Sequence, residues 1–439
     1  MTYSKLLNGF LMPLANKVMQ TKDVHYSKEI KKMSEWSSSE ILTWQNDKFL
    51  DLINHFHKNT SFVPKLFSEY GLSVKSFYSI EDINKFPVLN KEIYLRNKDE
   101  IIPSNLQTLK YKYNSTGGSS GLPLKFLLDI DSWSFTTANK IYNWGKIGFN
   151  LGDSHIAIGS SSLFPNSNSL KHNIYHWLKN EIPLNGINMS PEVMSSYIKI
   201  IINKKVKYLY GYASALFLLA SYVVEHKIKI NNVRGVFPTS EMLTVEFRKM
   251  IYKAFKCEIM DSYGARDGGI QAFQQGKNIY EVSYNSYINT NNLKGNQSPK
   301  PIIITDLLNK AFPFINYDLG DLITIPEENE IITYNGQTIK KLYGRDSDII
   351  YLKNGNTITG PGFTILFRDF NVTAYQIKKI NDLHIQCLII KASDYRDTDE
   401  KQIGEAIKKY IGPECNLEII YTDTIPVGKN GKIKYFINN

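Results

Sequence analysis

The sequence predicts a layered α/β fold followed by a smaller α+β unit, and three observations lead there. From about residue 100 to residue 340, short apolar runs of strand character alternate with segments of helical periodicity. Residues 1 to about 100 repeat Trp, Leu, Ile and Phe at three- and four-residue spacing, which predicts a mostly helical start. After Arg345 the pattern changes to a hairpin, a strand, a helix and a strand, so a boundary is drawn between residues 346 and 347.

Taken in order, the predicted strands are "LKYKYN" and "LKFLLDI" on either side of a glycine-rich stretch, then "HIAIGSS", "VKYLYGY", "VRGVFPTS" and "CEIMDSYG". Helical patterns such as "SSYIKIIINK" and "TVEFRKMIYKAF" separate them, and "PIIITDL" and "DLITI" continue the strands. The apolar run "YASALFLLASYVV" is too short to span a bilayer and predicts a buried helix. In the final unit, "DIIYLKNGNTI" places Asn-Gly between apolar runs, a hairpin signal. "HIQCLIIKA" then reads as a strand, "DEKQIGEAIKKYI" as a helix and "LEIIYTD" as a strand.

Composition narrows the function. Of 439 residues, 42% are hydrophobic and 21% charged, which suits a soluble protein with a large core. The formal charge of +10 favours anionic ligands, but the basic residues are scattered, which argues against a nucleic-acid partner. Cys257, Cys387 and Cys415 form no paired framework, so a reduced, cytoplasmic protein is expected. The N-terminal stretch has no small-residue cleavage site and predicts no signal peptide; an amphipathic helix lying on the inner face of a membrane is the alternative reading. "HNIYH" has two histidines at helical spacing without the glutamate of a zinc protease, His55 and His57 read as an exposed helix pair, and Cys257 as a core thiol.

Five stretches carry chemistry. "NSTGGSSGLPLKF" gathers Ser115, Thr116, Gly117, Gly118, Ser119, Ser120 and Gly121 between two strand-like runs. Glycines let several N–H groups converge, and hydroxyls add donors, so the stretch suits phosphate oxygens; a flexible linker is the plainer reading. It is neither GxxxxGK[ST] nor GxGxxG. "DSYGARDGG" ends a strand in a turn where Tyr263 and Gly264 could meet a base and Asp267 could hold Mg²⁺, although alone it reads first as an ordinary charged turn. "YDLGDLITI" sets Asp321 at a glycine turn, where an acid can accept both hydrogen bonds of a ribose diol. "YGRDSDIIYL" lies at the boundary, and "IPVGKNGKIKYFINN" puts Lys432 after Gly428 and Gly431 on an exposed loop or basic tail.

In this order the stretches resemble the AMP-forming, adenylate-forming ligase superfamily, and most of all its phenylacetate–CoA ligase-like branch of the CapK type found in capsule and other polysaccharide gene clusters. "STGGSSGLPLKF" is similar to that branch's phosphate loop. "GYASAL" and "TSEML", with Ser240 and Glu241, are similar to its Gly-Tyr-Pro-Ser-Ala-Leu and Ser/Gly-Glu-x-Leu elements. "YGARDGG" resembles Tyr-Gly-Ser-Arg-Glu-Gly, "YDLGD" resembles Tyr-Arg-Thr-Gly-Asp, "GRDSD" resembles Gly-Arg-x-x-Asp, and the C-terminal stretch resembles the family's Gly-Lys loop. Three positions depart from the pattern: Asp267 stands where glutamate is usual, Ser347 at the hinge, and Asp318 where arginine is usual.

The resemblance implies an adenylate-forming enzyme fold, with a large layered α/β N-terminal domain over residues 1–346 and a small mobile α+β lid over residues 347–439. It implies ATP and Mg²⁺ as cofactors, a small carboxylic acid as substrate, and CoA, a carrier thiol or a sugar amine or hydroxyl as acyl acceptor. The Ser115–Gly121 loop would hold phosphates, Ser240, Glu241, Tyr263 and Gly264 would line the nucleotide site, and Asp267 would bind the metal. Asp321 would fix the ribose, Arg345 would support the nucleotide near the hinge, and Lys432 would be the catalytic cation. Two other classes stay open: a relative that binds nucleotide without turnover, and a membrane-associated polysaccharide assembly protein.

Overall fold

The computed structural model describes residues 6–116, 124–159, 170–186, 189–276, 279–291, 300–326, 335–343, 349–351, 357–359, 366–367, 370, 372–392, 395–426 and 436–438. Their contacts divide the chain into two compact units. The first comprises described residues of 1–116, 124–153 and 260–345; the second, described residues of 154–259 and 346–439.

In the first unit every described element as far as Arg96 is helical, as the apolar spacing predicts. The longest helix, Ser38–Asn59, starts at a reciprocal cap. Glu40 N–H donates to Ser37 Oγ at 3.3 Å and Ser37 N–H donates to Glu40 Oε2 at 2.8 Å, satisfying donors that a helix start leaves open. Its inner stripe of Ile41, Phe49, Leu52, Ile53 and Phe56 is buried. "LKYKYN" and "LKFLLDI" form the antiparallel pair Tyr111–Ser115 and Lys125–Asp129, with Ser115 opposite Lys125. Two four-stranded antiparallel sheets complete the unit. One runs Ser286–Ile288, Lys300–Asp306, Tyr317–Thr324, Lys341–Tyr343; the other runs Thr338–Ile339, Ile279–Val282, Gln271–Gln275, Ser262–Gly264. Aromatic edges lock the core: Tyr94 lies 5.1 Å from Phe312 and 5.3 Å from Tyr317, centroid to centroid, and its hydroxyl donates to Pro313 O.

The second unit contains a five-stranded parallel sheet ordered Glu181–Asn185, His155–Gly159, Tyr208–Tyr212, Gly235–Thr239, Glu258–Ile259. Strands covered on both faces read as continuous apolar runs, and His155–Gly159 and Gly235–Thr239 are buried throughout. "YASALFLLASYVV" becomes the helix Ala213–Glu225, with Leu216, Leu219, Ala220 and Val223 buried. No helix among the described residues is long and apolar enough to cross a membrane.

The last ninety residues of this unit hold a second sheet, ordered Asn416–Tyr421, His384–Lys391, Val372–Asn381, Phe436–Asn438, with the helix Asp397–Ile411. The Asn-Gly hairpin appears as Ile349–Tyr351 paired with Thr357–Thr359; its turn lies outside the described residues.

Three expectations need correction. "CEIMDSYG" is two strands: Glu258–Ile259 joins the parallel sheet and Ser262–Gly264 an antiparallel one. Asp261 breaks the run, because its own Oδ1 accepts the Ser262 N–H at 2.9 Å and takes that donor from the ladder. The final unit contains the additional ten-residue strand Val372–Asn381. Its signal was hidden because Ala374, Tyr375, Gln376 and Ile377 are all buried and the register shifts after Val372, so no alternation shows. His55 is not exposed: it is half-buried and its Nε2 meets Lys310 O at 2.9 Å, and burial pushes its pKa down.

Candidate functional site

In the first unit the glycine-rich stretch emerges from a closed neck. Thr116 N–H donates to Leu124 O at 3.0 Å, and Leu124 N–H donates to Thr116 Oγ1 at 2.9 Å. Ser115 N–H is taken by Asn114 Oδ1 at 2.9 Å. The two strands below the neck therefore fix where the loop leaves and returns, whatever its own path. Gly117, Gly118, Ser119, Ser120 and Gly121 lie outside the described residues.

The turn from Tyr263 to Gly269 is tied to that neck and to the strand Tyr317–Thr324. Arg266 Nη1 donates to Asn114 Oδ1 at 3.1 Å, one residue before Ser115. Tyr263 OH donates to Asp321 Oδ2 at 2.8 Å, and Tyr317 OH donates to Asp267 Oδ2 at 3.1 Å. Three stretches far apart in sequence thus meet through three side-chain hydrogen bonds, two of them on carboxylates, where such bonds are strongest. The arrangement brings together Ser115, Thr116, Tyr263, Gly264, Asp267 and Asp321. Asn114 and Arg266 are the positioning residues that sequence reading missed, although both sit inside the quoted stretches.

The turn holding Asp267 depends on glycine at two places. Gly268 and Gly269 have φ of +85° and +65°; a Cβ on the first would land on Ile304 Cδ1 and on the second on Asp306 Oδ2. Asp306 is fully buried beneath the turn and accepts from Ser132 Oγ at 2.7 Å. Burial pushes its carboxyl up to about 7. Asp318, in the position where arginine is usual, accepts the Gly320 N–H at 2.8 Å inside the strand Tyr317–Thr324; the glycine turn expected before Asp321 is a register shift within that strand, with Gly320 at φ +76°.

Among the described residues no group of three or more His, Cys, Asp or Glu could hold a metal. Mg²⁺ is commonly bound by one or two carboxylates plus substrate phosphates, so a single carboxylate such as Asp267 is compatible with such a donor set. The second carboxylate, Asp321, is engaged by Tyr263.

Ser240 and Glu241 belong to the second unit. They follow the carboxyl end of Gly235–Thr239, next to Tyr208–Tyr212 and Ser214, where parallel sheets present ligand sites. Ser240 has φ +67°, a left-handed conformation that turns the chain and directs Glu241 back toward the neighbouring strand. Glu241 Oε2 accepts the Ser214 N–H at 2.7 Å. Glu241 Oε1 and Ser214 Oγ are buried and meet no hydrogen-bond partner. Burial pushes the Glu241 carboxyl up, against the opposing pull of the Ser214 side chain and backbone beside it. A Cβ on Gly211 would land on Ile158 O, so glycine is needed where the strands Tyr208–Tyr212 and His155–Gly159 pair.

Arg345, Ser347 and Lys432 lie outside the described residues. Of the other candidates, His176 Nδ1 meets Glu181 Oε1 at 3.0 Å, and Cys257 packs against the core with its thiol pushed up to about 12 by burial, an inert state.

Comparison with known proteins identifies relatives of the whole chain. The family described as the CapK C-terminal domain matches residues 350–439. Protein CapK of Staphylococcus aureus is 25% identical over 429 residues, spanning 94% of this chain and 92% of that protein. Among solved structures, 2-hydroxyisobutyryl-CoA ligase with 2-HIB-AMP and CoA in the thioesterification state aligns with a TM-score of 0.59 at 14% identity, over 91% of this chain and 90% of that one. The same ligase in the postadenylation state aligns with a TM-score of 0.57 at 14% identity, over 92% and 91%. The motif order, the neck-and-turn geometry and these matches lead to one conclusion: the chain is a CapK homologue with the fold of the adenylate-forming CoA ligases.

Proposed function

We propose that the protein activates a small carboxylic acid with ATP, forming an acyl-adenylate and pyrophosphate, and passes the acyl group to a nucleophilic acceptor in surface-polysaccharide synthesis. The observation that carries this reading is the convergence of Tyr263, Asp267 and Asp321 on the neck of the Ser115–Gly121 loop through Tyr317, Arg266 and Asn114. Carboxylate attack at the α-phosphorus builds charge on phosphate oxygens, so donors and cations held in place beforehand lower the barrier.

In this reading the Ser115–Gly121 loop donates to phosphate oxygens. Asp267 would hold Mg²⁺, and the ion would supply positive charge against the phosphates. Tyr317 orients Asp267, whose carboxylate is one methylene shorter than the family's usual glutamate. Asp321, oriented by Tyr263, accepts from the ribose hydroxyls. Glu241 and Ser214 offer their orphaned atoms to the nucleotide or the acid, and Arg345 supports the nucleotide. Lys432, on the lid of residues 347–439, brings a point charge to the carboxylate and the α-phosphate. The acceptor is a thiol such as CoA or a carrier protein, or an amine or hydroxyl of a sugar. ATP as substrate places the reaction in the cytoplasm.

The test is pyrophosphate release over a panel of acids, with mass spectrometry for the acyl-adenylate. Acid-dependent release that disappears without Mg²⁺ is expected. ATP binding by calorimetry with no acid-dependent release would instead make the chain a nucleotide-binding relative without turnover.

A further inference from the structure

The first helical segment, which starts at Leu6 and runs on through Met12–Met19, is turned inside out relative to an ordinary surface helix. Among its described side chains the exposed positions are Leu6, Gly9, Phe10, Pro13, Leu14, Lys17 and Val18. Four of them are large and apolar, with exposures of 40% at Leu6, 64% at Phe10, 53% at Leu14 and 58% at Val18. They recur every four residues and so form one stripe along one face. Lys17 is the one charged residue among these positions, and no acid stands there.

The orientation is fixed rather than incidental. The inner face carries buried Leu7 and Met12 and the buried polar Asn16. Asn16 Nδ2 donates to Thr21 Oγ1 at 2.8 Å, and Asn16 Oδ1 accepts the Val24 N–H at 2.9 Å. Rolling the helix to hide the apolar stripe would strip these bonds from a buried amide, which is costly. A water-facing helix places its polar side outward; this one places an amide inward and phenylalanine outward.

We infer that this face is a docking surface for a lipid bilayer containing anionic headgroups. Charge complementarity selects the occupant. Lys17 lies beside the stripe, within a chain of net charge +10; the following helix, Asp23–Met33, also exposes Lys28, Lys31 and Lys32, with Lys32 over the Trp36 ring at 5.8 Å. Leu6, Phe10, Leu14 and Val18 enter the headgroup–acyl boundary while the lysine stems reach outward to phosphate. A second copy of the chain fits less well, since the four side chains expose roughly 400 Å², about half of the ~800 Å² per partner of a stable interface. The helix is too short to span, so it lies in the interface plane.

The inference does not depend on the adenylation reading. It is tested by co-sedimentation of the full chain with vesicles of phosphatidylcholine alone and of phosphatidylcholine mixed with phosphatidylglycerol. Binding to the mixed vesicles that weakens with salt is expected. Phe10→Ser with Leu14→Ser should cut the bound fraction about tenfold, and Lys17→Glu should weaken binding to the anionic vesicles alone. Thermal melting should not change, because the substituted side chains face outward, and ATP-dependent pyrophosphate release should not change either. Equal partitioning of wild type and the double variant would overturn the inference. So would absence of vesicle binding combined with a concentration-dependent dimer that the double variant abolishes, which would make the face a self-association surface.

Discussion

Glu181 provides the sharpest test of how the second unit is held together. Its carboxylate accepts from Lys179 Nζ at 2.8 Å and meets His155 Nε2 at 3.2 Å and His176 Nδ1 at 3.0 Å. The side chains are 2–12% exposed, so this is a buried network at the edge of the parallel sheet. Burial works against the charged form, yet Lys179 and the two histidines overcome it and hold the carboxyl well below its ordinary range. Glu181→Gln keeps one acceptor oxygen but removes the charge, leaving the Lys179 ammonium buried without its counter-ion. Breaking a buried pair from one side typically costs ~3–5 kcal/mol, and the retained oxygen places this variant near ~3 kcal/mol. Urea denaturation at neutral pH, followed by far-UV dichroism and by hydrogen exchange across His155–Asn185, measures it. Lys179→Met added to Glu181→Gln should recover part of the loss, because the orphaned charge is then gone. A single-variant loss under about 1 kcal/mol, or a double variant no more stable than the single, would refute the reasoning. The pH dependence has a definite sign. A depressed carboxylate contributes stability above its unfolded value of 4.5, and that contribution is lost as pH falls through the lower folded value. Glu181→Gln should therefore flatten the acid limb of the stability profile.

The remaining predictions concern the candidate site. Asp267→Asn should lower pyrophosphate release and raise the Mg²⁺ concentration needed for half-maximal rate, while Asp267→Glu should stay active; an unchanged Mg²⁺ titration in Asp267→Asn would remove it from the metal site. Lys432→Ala should fold and bind ATP normally but lose adenylation by roughly 10²-fold or more, read by assaying the two half-reactions separately; equal loss in both would mark a structural role. Gly269→Ala must place a methyl against the buried Asp306 carboxyl at a φ of +65°, so it should destabilise by ~1–3 kcal/mol and impair catalysis more than the same change at Gly276, where a Cβ meets nothing within 4 Å; equal effects at the two glycines would show that the crowding at Asp306 is irrelevant.

By itself the sequence determined most of the local elements. Continuous apolar runs marked strands buried on both faces, helical spacing marked the N-terminal helices, and the Asn-Gly pair marked the hairpin, because each is a short-range consequence of side-chain period or backbone conformation. Only the tertiary structure decided that "CEIMDSYG" divides at Asp261, since strand partners come from distant parts of the chain. Only it joined Arg266 to Asn114, separated by 152 residues, and Tyr263 to Asp321, separated by 58, contacts that no local pattern encodes. The Val372–Asn381 strand was hidden by burial on both faces together with a register shift. The N-terminal helix shows the same division. Its apolar residues were plain in the sequence, but which of them face outward was set by Asn16, whose amide finds its partners, Thr21 and Val24, only when the chain folds back into the next helix.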